Sequence, residues 1–169
     1  MERLTKALKK FCMVLDRLAG LCFAGVMLLI IANIITRTAF NHPIMGTYEM
    51  VGFLTALGIG FALAHCFLQD GHIAVSFVVD RLSLNTQSIV AIFVNLLASV
   101  FMFAVGWYLM AYGLSMKLNG SVSLTAEIPI YPFIFMVAVG VFALSLAVFY
   151  KVIVSCQALQ AANKIKRAL

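Results

Sequence analysis

Four long apolar runs, at about 18–36, 48–68, 89–112 and 130–154, constrain this chain more than any other feature. A membrane-spanning helix takes about 20 residues, and the first run alone reaches roughly 28 Å as a helix, close to the hydrocarbon thickness of a bilayer. None of the runs holds Asp, Glu, Lys or Arg near its middle. The composition agrees: 64% of residues are hydrophobic and 11% charged, against about 45–50% and about 25% in soluble domains. A soluble fold is excluded. The expectation is an all-α integral membrane protein, a single membrane domain over 1–169 with four transmembrane helices and no large soluble part.

Charge sets the expected orientation. Ten of the twelve basic residues fall before the first span, in the middle loop, or at the end of the last span and beyond it, leaving Arg37 and Lys117 on the other side. The positive-inside rule then places both termini in the cytoplasm. Residues 1–16 read as a basic amphipathic helix, with Leu4, Leu8, Phe11 and Leu15 at helical spacing and Arg3, Lys6, Lys9 and Lys10 on the polar side. Such a segment lies in the interface against anionic phospholipid; the alternative is a cytoplasmic extension of the first span that sets orientation. The apolar run begins too late, and lacks the small-residue site, for a cleaved signal peptide.

The second span carries Gly52, Ala56, Gly60 and Ala64 at every fourth residue, one stripe of a helix. Small residues let a second backbone come close, and that packing drives helix association in lipid. Beside them runs a bulky stripe, Phe53, Leu57 and Phe61, left for lipid or a partner. In the third span Ala91, Asn95 and Ser99 make a small, mildly polar stripe. These stripes are the expected helix-packing or partner surfaces.

The side opposite the termini carries two short polar loops, Arg37 to Tyr48 and Ser115 to Glu127. Arg37 can snorkel to the interface, and Glu49 opens the second span at the same face. An Arg37–Glu49 pair and two independently hydrated end charges both remain open. Asn41, His42, Tyr48, Lys117 and Asn119 complete the candidate end and docking residues. Trp107, Tyr108 and Tyr112 form an aromatic belt, and Pro129 and Pro132 sit where a helix start tolerates proline. Between the second and third spans, Gln69 to His72 and an amphipathic piece with Asp80-Arg81 turn the chain back.

Much chemistry is missing. Ion-coupled transporters place ionisable groups inside their spans, and anionic substrates need a counter-charge or a broken helix. Neither is present, so this chain alone is expected not to transport. A small multidrug exporter would hold a carboxylate in its first span. A haem site needs facing axial ligands, and His65 is the one histidine within a span. Cys12, Cys22, Cys66 and Cys156 have no metal-ligand or disulfide spacing. No nucleophile elbow marks an enzyme. No cofactor, metal or nucleic-acid partner is expected. What remains is a subunit that packs against something, a transporter component or the membrane anchor of an oxidoreductase.

Asn33-x-x-x-Arg37, Glu49, Gly71-His72-Ile73-x-Val75, Asp80-Arg81-Leu82 and Ser123 through Ile128-Pro129, in this order over a four-span layout, together resemble the small membrane subunit of tripartite ATP-independent periplasmic (TRAP) transporters, the DctQ-like family. Gly71, His72, Asp80 and Arg81 match the family-motif loop. The chain departs from the family's tryptophans, with Thr47-Tyr48 before the glutamate and Tyr131 after the proline; an interfacial aromatic is kept. The resemblance implies a bacterial inner-membrane subunit without catalysis of its own. It implies a soluble periplasmic binding protein that captures an organic acid such as a dicarboxylate or sialic acid. A large membrane subunit would bind substrate and sodium ions, and this chain would join its scaffold.

Overall fold

Each apolar run folds as a helix that extends beyond it at one or both ends. The computed structural model describes residues 2–69 and 84–168, with side-chain surroundings for 6–69, 86–87 and 89–157. Its helices are α1 (Glu2–Phe40), α2 (Thr47–Leu68), α3 (Leu84–Leu118) and α4 (Tyr131–Ala168). All four are long and apolar enough to cross a membrane.

The 39 residues of α1 make a rod of roughly 58 Å, about twice the hydrocarbon thickness. Residues 2–16 are therefore the beginning of α1 and not a separate interfacial helix. The sequence holds nothing to break the rod, since glycine first occurs at Gly20 and proline at Pro43. Of the stripe expected to meet lipid, Leu8 and Leu15 meet protein while Phe11 stays 46% exposed, and the surroundings of Leu4 lie outside the described residues. Cys12, Leu15 and Ala19 are buried in one cluster with Ala64 of α2, and Leu8, Phe67 and Leu68 pack against it.

At the other end α1 stops where Asn41 takes a left-handed conformation, φ 53, just before Pro43, which cannot continue a helix. Helix α3 runs past the expected boundary at Tyr112 to Leu118, so Lys117 lies on its last turn and not in a loop. There Gly120, at φ 61, closes a Schellman turn. Ser121 N donates to Met116 O at 3.1 Å and Gly120 N to Lys117 O at 3.2 Å.

The helices pack as a row in the order α1, α2, α4, α3, with α3 scarcely touching α1 or α2. This is more open than a closed four-helix bundle. The accessible surface is 11848 Å², against roughly 8,200 Å² for a compact soluble chain of this mass. In the most apolar 18-residue stretch of each helix, 28% and 44% of residues are buried in the inner helices α2 and α4, but only 6% and 11% in the outer α1 and α3. Lipid tails are as apolar as leucine, so such faces carry no penalty in a bilayer.

Glycines make the seams. A Cβ on Gly140 of α4 would overlap the Gly60 carbonyl oxygen of α2 and lie 2.6 Å from its carbon, so the two backbones touch there. The Phe23 ring covers Gly58 between α1 and α2, and the Phe142 ring covers Gly106 between α3 and α4. Ser99 Oγ donates to Ser145 O at 3.2 Å and Ser145 Oγ to Ser99 O at 3.0 Å. This reciprocal pair satisfies both buried hydroxyls across the α3–α4 seam.

Candidate functional site

The connections α1–α2 and α3–α4 come together at one end of the row, and Glu49 joins them. As the third residue of α2 it sits in the first turn, where a negative charge suits the helix dipole. Its Oε1 accepts from Thr125 N at 2.8 Å and its Oε2 from Ala126 N at 3.0 Å. Both donors belong to the α3–α4 loop, 76 and 77 residues along the chain. An ionised carboxylate only accepts, so it fits two N–H groups that the loop does not pair internally.

Each loop has its own framework. In the α3–α4 loop Val122 and Pro129 form an antiparallel bridge. Ser123 N donates to Ile128 O at 2.9 Å, and Ile128 N donates back to Ser123 Oγ at 3.3 Å. In the α1–α2 loop Ile44 N donates to Asn33 Oδ1 at 2.9 Å, and Thr47 Oγ1 to Ile44 O at 2.7 Å. Gly46 permits the contact between the loops. It is buried, its φ is 76, and a Cβ there would stand 2.5 Å from the Ala126 Cβ.

The other candidates at this end surround that joint. Arg37 is exposed and, among the described residues, forms no ion pair with Glu49, whose oxygens go to the loop amides. Asn41 and Asn119 are exposed helix-ending residues, and His42 is exposed beside Asn41. His42 N donates to Thr36 O at 3.3 Å and Asn119 N to Ser115 O at 2.9 Å. Tyr48 is 92% exposed. Lys117 Nζ stands 5.9 Å from the centre of the Tyr131 ring.

The packing candidates divide along α2. Gly60 and Ala64 are buried, whereas Gly52 and Ala56 are exposed, and nothing lies within 4 Å of a Cβ built on Gly52. The bulky stripe turns inward and is not left for lipid or a partner: Leu57 and Phe61 are buried, and Phe53 stacks on Phe133 of α4 with ring centres 4.5 Å apart. Asn95 Nδ2 donates to Ala91 O within its own helix at 2.8 Å, while Ser99 bonds across the seam. Gly71, His72, Asp80 and Arg81 lie outside the described residues.

Three features escaped the sequence reading. Gly140 faces the α2 seam and Ser145 the α3 seam, on a helix that also buries the small Ala143 and Ala147, without the every-fourth-residue repeat of α2. The third is a carboxylate–imidazole contact toward the opposite end. Asp16 Oδ2 lies 3.3 Å from His65 Nδ1, and His65 Nε2 lies 3.1 Å from Gln69 Nε2. Asp16 falls one residue after Leu15 at the edge of the buried α1 stripe, which was the available signal.

Among the described residues, no three His, Cys, Asp or Glu side chains converge to hold a metal. A groove of about 570 Å³ between α3 and α4 is lined by apolar side chains including Trp107, Leu114, Phe135 and Phe142. The arrangement fixes shape and presents loops. The sequence matches, over residues 26–158, the family described as tripartite ATP-independent periplasmic transporters, DctQ component. No curated protein matches the chain.

Proposed function

Because the chain belongs to the DctQ component family of tripartite ATP-independent periplasmic transporters, a transporter component and not an enzyme, we propose a division of labour for it. It is the small, multi-pass membrane subunit of a sodium-driven secondary transporter of the bacterial inner membrane. It packs on the scaffold of the large membrane subunit and stabilises it. The end built around Glu49 faces the periplasm, with both termini in the cytoplasm, and helps to receive the soluble binding protein. The imported substrate is an organic acid, a dicarboxylate or sialic acid. Its selection lies in the other two proteins, and sodium binds in the large subunit.

The observation that carries this reading is the open helix row. The outer helices leave most of their apolar residues uncovered, which suits a subunit completed by a larger membrane protein and by phospholipid. The exposed Gly52 and Ala56 offer a close-packing surface for that partner, and Arg37, Asn41, His42, Tyr48, Lys117 and Asn119 form the rim offered to the binding protein. Reconstitution in liposomes with a sodium gradient and labelled organic acids tests the proposal. Accumulation is expected only with the large subunit and binding protein present. Uptake by this chain alone overturns it.

A further inference from the structure

We propose that the groove between α3 and α4 holds an acyl chain of one anionic phospholipid, with the lipid's phosphate at Lys117. The groove runs from Trp107 to Leu114 on α3 and from Phe135 to Phe142 on α4, and its lining is aliphatic and aromatic. Seven residues of helix along each wall make it roughly 10 Å long. The walls run in opposite directions, since Phe142 covers Gly106 and Phe135 covers Gly113. Lys117 stands one turn beyond Leu114 on the same side of α3, at the end where α4 begins. Its Nζ lies 5.9 Å from the centre of the Tyr131 ring. That ring meets Phe135, a wall of the groove, edge-on with centres 6.1 Å apart. A cation at one end of an apolar groove matches a phospholipid, whose phosphate stands at one end of its acyl chains.

A helix of another subunit fits this groove less well. Helices associate in lipid where small residues let backbones approach. Here the two glycines of α3 are already covered from within. A Cβ on Gly113 would stand 2.7 Å from the Phe135 ring, and one on Gly106 would stand 3.0 Å from the Phe142 ring. What α3 turns outward is bulky: Trp107 is 66% exposed, and Met110 and Leu114 are exposed beside it. The outward face of α2 is the contrary case, where nothing lies within 4 Å of a Cβ built on Gly52. That face suits a helix, and the α3–α4 groove suits a flexible chain. Charge argues for the headgroup. Lys117 is exposed and makes no ion pair among the described residues. Basic groups beside grooves between membrane helices hold lipid headgroups, and one lysine near the surface is worth about fivefold in affinity for anionic lipid. The inference needs only a multi-pass membrane protein and holds whichever side of the membrane the Lys117 end faces.

Trp107 is the chain's one tryptophan, so its fluorescence reports on this groove. The full chain is reconstituted in phosphatidylcholine vesicles, and phosphatidylglycerol or phosphatidylcholine with brominated acyl chains, which quench on contact, is titrated in. Brominated phosphatidylglycerol should quench at about fivefold lower mole fraction than brominated phosphatidylcholine. Lys117→Gln should remove that preference, and Lys117→Arg should keep it. Ala111→Phe fills the groove and should also remove the preference, although Lys117 is still present. Equal quenching by the two lipids in the parent overturns the proposal, as does a preference that persists in Lys117→Gln. A preference that persists in Ala111→Phe overturns it too, because surface charge alone then explains the binding. In the complete transporter, Ala111→p-benzoylphenylalanine should photocrosslink to phospholipid. A crosslink to the large subunit instead assigns the groove to that subunit and overturns the lipid site.

Discussion

A carboxylate joins elements toward each end of the helix row, with different kinds of partner. Glu49 meets two backbone amides of a distant loop. Asp16 meets an imidazole ring, and its own side chain is 44% exposed. Backbone donors cannot rotate away without moving the loop, so the Glu49 joint sets a shape. Side chains rearrange at lower cost than backbone, and with His65 17% and Asp16 44% exposed the pair is partly open to water; fully exposed pairs contribute about 0–1 kcal/mol. One end is built to present a surface, and the other is a contact between neighbouring helices that tolerates adjustment.

The largest expected effect breaks both ends at once. Gly140→Leu drives a side chain into the Gly60 backbone at the α2–α4 seam, which ties the two halves of the row together. Backbone cannot swing aside as a side chain does, so a loss of about 3 kcal/mol or failure to assemble is expected. Gly60→Leu should cost less, because its nearest neighbour is Val137 Cγ1 at 3.5 Å. Thermal unfolding in detergent, followed by retention of the large subunit, measures both. A Gly140→Leu protein that melts with the parent shows that the seam is not what holds the row.

Next comes a change confined to the Glu49 end. Gly46→Val puts a β-branched residue at a positive φ and a Cβ against Ala126. Strain and overlap together should cost about 2–4 kcal/mol. Deuterium exchange should quicken at Thr125 and Ala126 and stay unchanged around His65. Equal loosening at both ends would erase the distinction between them. Asp16→Asn makes the complementary comparison, with a stability change of at most about 1 kcal/mol and no effect on the loop amides. A larger loss would show that the Asp16–His65 pair is structural.

The spans were legible in the sequence because apolar length is a local property. Their packing was not. Glu49 was readable as an end charge, and Arg37 was the nearest candidate partner in the chain. Its actual partners lie 76 and 77 residues away and are backbone amides, which no side-chain pattern reveals. The α1 stripe of Leu4, Leu8, Phe11 and Leu15 was visible, but that Leu8 and Leu15 meet protein, beside a buried Cys12, depends on where α2 ends. The α2 small-residue stripe could be read, and its division into buried Gly60 and Ala64 and exposed Gly52 and Ala56 could not. That division follows from how far α4 covers α2.

The smallest effect sharpens the comparison on the Glu49 side by changing charge without touching the joint. Lys117 is exposed on the last turn of α3, where a cation suits the helix dipole, and reversing it should cost under about 1 kcal/mol. Its ring contact with Tyr131 is long, at 5.9 Å, and an exposed cation–π contact adds about 0.5–1 kcal/mol at most. The membrane complex should therefore stay intact in Lys117→Glu. Charges on an interface rim act mainly on encounter rate and salt dependence. Uptake should slow most at low binding-protein concentration and low ionic strength, and the deficit should shrink as salt screens the charge. A salt-independent deficit would place Lys117 in the loop's framework and not on its rim. An unchanged titration would leave docking at this end to the Glu49-held loop.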